Sequence, residues 1–406
     1  MSQRKAVTRQ IATRYKRADR ASKKLILDEL CATTGWHRDH ARKALRQALK
    51  PVVVRPRRPR PAVYGPLVIG ALRFCWAVLG APAGKRLAPF LPELVVRLRA
   101  CGELNIDDDV AAALCRISAA TIDRRLAGDR ARLDPRGRSH TKPGSLLKDA
   151  IKVRTWADWD EDQPGFVEID LVGHEGGNSS GDFCSTLTVT DIALGWTENR
   201  TVKNKAQKWV LEAMEAIAAE FPFPVRGIDS DNGSEFINAH LLAYCEKNKI
   251  TFTRSRPGNK NDGAHVEQKN WAVVRQVAGY HRYDTDAERL LLNRIWALQG
   301  LLTNYFYPQQ KLVSKVRCGA KVTKKYDRAQ TPYQRAMRHQ KISKKAIAAL
   351  TRTYKTINPA AVQREIQALT DQLLALTTAK AAARAKPTLP KRASASEATT
   401  RATRAS

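Results

Sequence analysis

Ile228-Asp229-Ser230-Asp231-Asn232-Gly233-Ser234-Glu235-Phe236 is the stretch on which the reading of this chain turns. A strand read from Val225 gives way to acidic residues, and Asn232-Gly233 supplies the turn chemistry that lets a backbone leave a sheet sharply. Asp231 therefore falls where a strand ends. A second carboxylate, Asp170, is set inside Val167-Glu168-Ile169-Asp170-Leu171-Val172, which alternates as a strand does. Thirty-five residues lie between Asp231 and Glu267, which opens a helix in His265-Val266-Glu267-Gln268-Lys269-Asn270. Each acid alone reads as an edge residue, a turn former or a helix cap. Their joint placement reads differently, because strands disfavour Asp and a buried charge must be paired or bind a metal. Oxygen-only ligands suit Mg²⁺ or Mn²⁺, and two such ions about 3.5–4 Å apart clamp both oxygens of an in-line phosphoryl displacement.

Outward from these residues the pattern alternates between the two regular periods. Residues 166–172, 183–190 and 196–202 read as a three-strand meander, with turns at 176–181 and 193–195. Residues 205–220 form an amphipathic helix, 225–230 a strand, 238–248 a helix, 250–255 a strand and 264–279 a helix. A mixed sheet with helices on its faces follows, in the element order of a ribonuclease H type of fold.

In Glu168-Ile169-Asp170, in Ser230-Asp231-Asn232-Gly233-Ser234-Glu235-Phe236, and in the Glu267 helix behind a Gly/Asn-rich loop, residues 164–280 resemble the retroviral-integrase-type core of bacterial insertion-sequence transposases. The resemblance implies a ribonuclease H-like fold, Asp170, Asp231 and Glu267 as catalytic and metal-binding triad, divalent-metal strand transfer on DNA, and multimers that join two element ends. It does not decide whether an ATPase helper takes part. Retroviral integrases begin with a His/Cys zinc module, whereas this chain has His37 and His40 without paired cysteines, so no zinc is expected. Asp229 rivals Asp231 from two residues earlier, Glu168 shares a face with Asp170, and His174, Glu175 and His265 stand nearby without an assigned role.

The charge is distributed as a polyanionic partner would require. Of the net +32, residues 1–60 hold 18 Lys/Arg against 4 Asp/Glu and residues 311–406 hold 22 against 4, while residues 61–310 hold 31 of each. Double-stranded DNA is the expected partner. Residues 1–50 read as a basic arm followed by a helix-turn-helix over 24–49, with Leu25, Ile26, Leu30, Ala41, Ala44, Leu45 and Leu49 as its core. Arg38, Arg42, Lys43 and Arg46 then face a groove, or else the pair is a helical hairpin with a solvated basic face. Residues 51–63, with Arg55, Arg57 and Arg58 between prolines, are an extended linker that either lies in a minor groove or spaces two domains. A second helical domain, 64–128, contains another candidate helix-turn-helix, at 107–126, with Arg124 and Arg125 toward phosphates or serving structure alone. A polar connector covers 129–160 and the catalytic core 161–286. Arg254, Arg256, Lys260 and Lys269 either hold a DNA end near the triad or are solvated.

Residues 287–345 begin with a long apolar helix and continue into a basic, strand-compatible segment, 311–326, of open function. Residues 346–377 are helical, with a stripe of Val362, Ile366, Leu369, Leu373 and Leu376 that pairs with another copy or packs on the body. Residues 378–406 read as a disordered basic tail. Gly65-to-Gly84 is interrupted by Arg73, and the apolar runs on either side are too short to span a bilayer, so it reads as buried helix; seven scattered cysteines without CxxC spacing suggest reduced, cytosolic thiols, and a DNA partner places the chain at the nucleoid. The expected fold is thus multidomain: an all-α helix-turn-helix front, an α/β core and a basic C-terminal segment. The expected function is transposition; a retired transposase kept as a DNA-binding regulator and a ribonuclease H-like nuclease without joining activity are its rivals.

Overall fold

The computed structural model describes residues 2–50, 63–132, 152–153, 162–231, 233–255 and 264–384. The linker arginines Arg55, Arg57 and Arg58, most of the connector, Arg256, Lys260 and the tail beyond Arg384 lie outside the described residues. One compact unit spans Met1–Val63 and a second Tyr64–Ser406.

The first unit is a three-helix body of α1 (Ser2–Arg17), α2 (Arg20–Thr34) and α3 (Arg38–Ala48). Residues expected as a polar arm are helix α1. Its inward stripe, Thr8, Ile11, Ala12 and Tyr15, has helical spacing but is short and built partly of small or polar groups, so hydropathy hides it. Ala12 packs with Leu27, Leu30, Ala41 and Leu45 in the core. Leu25 and Leu49, expected inside, are 64% and 39% exposed. Asp19 caps α2 by accepting the Ser22 N–H at 2.9 Å. Gly35, at φ +67°, ends it by donating to the Cys31 carbonyl at 2.8 Å, a left-handed cap that a β-carbon would strain.

The second unit opens with α4 (Pro66–Val78), α5 (Gly84–Leu87), α6 (Leu91–Ala100), α7 (Asp108–Cys115), α8 (Ala119–Arg125) and α9 (Ala127–Ala131). Asp107 and Ser118 cap α7 and α8, at the two helix starts expected from sequence. These helices share one apolar core with the sheet and the C-terminal helices, through Leu72, Phe90, Leu94 and Leu114 among others. Arg364 holds Glu103 by a fork of 2.7 and 2.8 Å, and Arg97 donates to the Ile357 carbonyl.

The sheet runs β1 (Lys152–Val153), β2 (Phe166–Gly173), β3 (Ser185–Asp191), β4 (Thr197–Val202), β5 (Gly227–Ser230) and β6 (Thr251–Arg254), in spatial order β1-β6-β5-β2-β3-β4. β2, β3 and β4 form the antiparallel meander, while β5 lies parallel to β2 and β6. Among the described residues, the two-residue β1 and the end of α9 fall in the segment expected as connector. Between strands run α10 (Gln207–Glu220) and α11 (Ala239–Lys247). The last helix of the core, α12 (Ala264–Lys269), passes through a π-helical turn, Asn270–Arg275, into α13 (Gln276–Ala278).

Helix α14 (Asp286–Tyr305) covers the open edge of β4. The Asn304 side-chain amide bonds the N–H and C=O of Thr197 at 2.8 and 2.9 Å, and Asn293 does the same for Thr201 at 2.7 and 3.0 Å. Two amides thus replace a neighbouring strand, leaving that edge closed to another chain. Beyond α14 come the hairpin β7 (Leu312–Cys318) and β8 (Lys321–Tyr326), then α15 (Pro332–Arg338), α16 (Lys344–Thr356) and α17 (Pro359–Arg384). Ile366, Leu369 and Leu373 of α17 are buried against the body, whereas Leu376 is 43% exposed. Residues 378–384, expected as the start of the disordered tail, are the last turns of α17. Alanines 379 and 381–383 favour continued helix, and the Lys380 amine is seated on Asp284 and Glu288 at 2.9 and 2.6 Å. Among the described residues no helix is long and apolar enough to cross a membrane, and all seven cysteines are free.

Candidate active site

Alternation on β2 turns Glu168 and Asp170 to one face. Parallel pairing sets Glu168 opposite Asp229 and Ile169 opposite Ser230, so Asp231 emerges just past the end of β5. Asp229 is 1% exposed, and its Oδ1 accepts the Thr253 hydroxyl at 2.6 Å. Asp231 lies in the turn beyond, its Oδ1 accepting the Gly233 N–H at 2.9 Å. A β-carbon on Gly233 would stand 2.9 Å from that oxygen and 2.8 Å from Cδ of Glu235, so the turn needs glycine to leave the carboxylate in place.

The third acid arrives on α12, which β2 holds at two points. Glu168 Oε2 accepts the N–H groups of His265 and Val266 at 2.9 and 3.2 Å, capping the helix start. Asn270 Nδ2 donates to Asp170 Oδ2 at 2.6 Å. Glu267 lies on the exposed turn between these anchors. Burial and the charge of Asp231, with that of Glu267, push the Asp170 carboxyl up to about 7 against hydrogen bonds from Leu171 and Asn270. Burial likewise raises Asp231 and Glu235, opposed by the Gly233 N–H at the first and chiefly by Glu235's own backbone N–H at the second. The carboxylates therefore share one field, although among the described residues no three His, Cys, Asp or Glu side chains close on a metal-holding centre. An acidic, all-oxygen donor set whose members repel one another is suited to a hard divalent cation.

Residues 160–260 match the integrase core domain family, a span that holds Asp170 and Asp231 and stops short of Glu267. The chain is 39% identical over 329 residues to the uncharacterized protein y4rM of Sinorhizobium fredii, across 80% of this chain and 93% of that protein. The chain belongs to the y4rM family, and its catalytic core is of the integrase/transposase type. Among solved structures, it is similar to the catalytic core domain of BIV integrase, with a TM-score of 0.29 and 16% identity over 42% of this chain and 91% of that one. It is also similar to the simian T-cell lymphotropic virus intasome in complex with PP2A regulatory subunit B56 gamma, with a TM-score of 0.32 and 13% identity over 59% and 73% of the two chains.

Around this integrase core the other residues singled out in the sequence divide. Lys269, expected to meet DNA, turns instead toward the β3–β4 turn, its Nζ 3.4 Å from the Gly195 carbonyl. Burial, with Arg86 and Arg335 nearby, lowers its amine to about 7. The helix phase that exposes Glu267 carries a residue two positions later toward the sheet. Arg254 ends β6, partly buried and opposite Ser230 in register. His174 is fully buried, with Nε2 2.7 Å from the Thr186 hydroxyl; Glu175 is buried beside Arg282, and His265 is exposed at the start of α12. In the first unit Arg38 is ion-paired with Asp28 and Arg42 with Asp39, the latter at 3.2 Å. Lys43 and Arg46 are exposed on α3. Sequence reasoning missed Asn270 and Glu235 as neighbours of the acids, and the half-exposed Trp271, one turn beyond Glu267. The i+3 and i+4 spacing from Glu267 is the signal that would have found Asn270 and Trp271.

Proposed function

We propose that this protein is a DNA transposase that cleaves a phosphodiester at the ends of a mobile element and joins the freed 3′-hydroxyl to target DNA. The observation that carries the reading is the placement of Asp170 on β2, Asp231 just past β5 and Glu267 on α12, a helix tied to β2 through Glu168 and Asn270. These three side chains would hold Mg²⁺ or Mn²⁺, and two such ions when bound activate the attacking oxygen and stabilise the leaving one. Glu168 and Asn270 fix the helix that presents Glu267, and the Gly233 turn aims Asp231. No side-chain nucleophile is required, so no covalent protein–DNA link forms.

The first unit supplies end recognition through α3, used as the second helix of a helix-turn-helix, with Lys43 and Arg46 foremost. Two ends must be held together, so the working form is a homo-multimer on DNA, in the cytoplasm. Incubating the full chain with Mg²⁺ and the DNA flanking its own gene, then sequencing the products, tests the reading. Joined element ends are expected from the wild type and none from Asp170→Asn, Asp231→Asn or Glu267→Gln at unchanged duplex affinity. Cleavage without joining would favour a nuclease, and binding without either a regulator.

A further inference from the structure

The hairpin of β7 and β8 stands out because every residue of both strands is exposed. A two-stranded hairpin bare on both faces is marginal in water. This one carries an added cost, since its register sets Lys315 directly opposite Lys324 with Arg317 two residues along the same face. Leu312, Val322 and Tyr326 complete that face at 48%, 36% and 47% exposure. Neither strand contains an acid, and no ion pair to Lys315, Arg317 or Lys324 is found among the described residues. The base, by contrast, is pinned. Asp327 accepts the Lys311 N–H at 2.7 Å and pairs with Arg335 at 2.8 Å, while Lys311 Nζ donates to the Ala193 carbonyl at 2.7 Å. The ribbon is therefore a held projection whose blade has no covering among the described residues.

The geometry points to duplex DNA as that covering: the ribbon enters a major groove with Lys315, Arg317 and Lys324 toward the backbone phosphates. The inference rests on the transposase reading and adds a DNA-binding surface outside the triad and the N-terminal unit. Charge selects the occupant. A second copy of a chain with net charge +32 would bring more cations to a face whose only charged groups are cations, whereas phosphates neutralise the Lys315–Lys324 repulsion. Dimensions agree, because the major groove of B-form DNA admits a two-stranded β-ribbon. Leu312, Val322 and Tyr326 supply apolar surface for sugars and thymine methyl groups.

The test compares three full-length proteins by affinity for a duplex across a salt series: wild type, Lys315→Gln/Arg317→Gln/Lys324→Gln, and Lys344→Gln/Lys345→Gln/Arg352→Gln. The last removes the same charge from exposed positions on α16. The ribbon variant is expected to lower the slope of log affinity against log salt by about 3, roughly 1 per phosphate no longer neutralised, and the α16 variant by less than about 1. Alkylation of Cys318, exposed at the ribbon tip, provides a second readout by peptide mass. Duplex should slow it, while protein concentration alone and anionic vesicles should not. Equal slopes in the two variants, protection by self-association, or protection by vesicles would each overturn the ribbon's assignment. If the wild type itself failed to bind duplex, the transposase reading would fall; if it bound and the ribbon variant matched it, only this inference would.

Discussion

Asn270 donates its side-chain N–H to Asp170 at 2.6 Å, linking the helix that carries Glu267 to the strand that carries Asp170. Glu168, two residues before Asp170, accepts the backbone N–H groups at the start of the same helix. One strand face thus sets both the height and the rotation of the third acid. Asn270 is a positioning residue, and the π-helical turn that begins there is a local departure of the kind found at functional sites.

Asn270→Leu keeps the volume and removes the bond. Loss of a partner behind a metal ligand typically costs 10–100-fold in metal affinity or activity. Strand joining should fall by about that factor, with half-maximal activity moving to higher Mg²⁺ and duplex affinity unchanged. A metal titration of joining checks it, and an unchanged Mg²⁺ midpoint would remove Asn270 from the site.

Gly233→Ala should separate activity from stability. The new methyl would press on the ends of two flexible side chains, Asp231 and Glu235, rather than on backbone, so the turn survives while the Asp231 carboxylate is displaced. Misplacement of a reacting group by about 1 Å can cost about 100-fold. Joining should drop by that order while the melting temperature moves by no more than about 2 °C; full activity would show that Asp231 does not act from its place in this turn.

What was legible followed from period and punctuation. β2, β5 and α12 read out because their alternation is interrupted by Asn232-Gly233 and by the helix start at Ala264, and the acids sat at those interruptions. Less legible were features whose cause lies elsewhere in the chain. Lys269 turns inward because Glu168, 97 residues before His265 and bonded to its N–H, sets the helix phase. Asn293 and Asn304 look like ordinary polar helix positions until β4 is laid beside them. Helix α1 hides because Thr8 and Ala12 carry little hydropathy yet suffice to pack against α3. The exposed ribbon reads as strand in sequence, but nothing local says that both its faces are bare among the described residues.

His174 gives the fold a pH dependence of definite sign. Burial, aided by the charge of Arg275, pushes its imidazole from the ordinary 6.5 down to about 3. The folded protein holds it neutral while the unfolded chain protonates it, so its contribution is complete above about pH 6.5 and is lost as pH falls toward 3. Asp191 and Glu198, both raised to about 7 by burial, act with the opposite sign. The readout is therefore the difference between wild type and His174→Gln in urea unfolding. The substitution should cost stability at pH 7 and cost less at each step down to pH 4.5. A constant difference across that range would mean His174 does not titrate between the two states.

The two basic ends should fail differently when charge is removed. On α3, Arg38 and Arg42 are engaged by Asp28 and Asp39, which leaves Lys43 and Arg46 as the exposed cations. Alanine at Lys43 and Arg46 should reduce preference for the element's ends over random duplex, by about 1–3 kcal/mol for each base edge no longer read. Truncation of the tail must spare Lys380, because its amine neutralises Asp284 and the buried Glu288, and leaving a buried carboxylate without its partner costs about 3–5 kcal/mol. A chain ending at Arg384 should therefore melt with the wild type, bind all duplexes more weakly and show a flatter salt slope, since residues 385–406 carry five Lys/Arg against one Glu and contacts to phosphates carry no base sequence. A chain ending at Leu376 should melt well below it. Affinity against salt on specific and random duplexes, with a melting curve for each truncation, separates these effects. Lost specificity on truncation at Arg384, with uniform weakening from the α3 substitutions, would move end recognition out of the first unit.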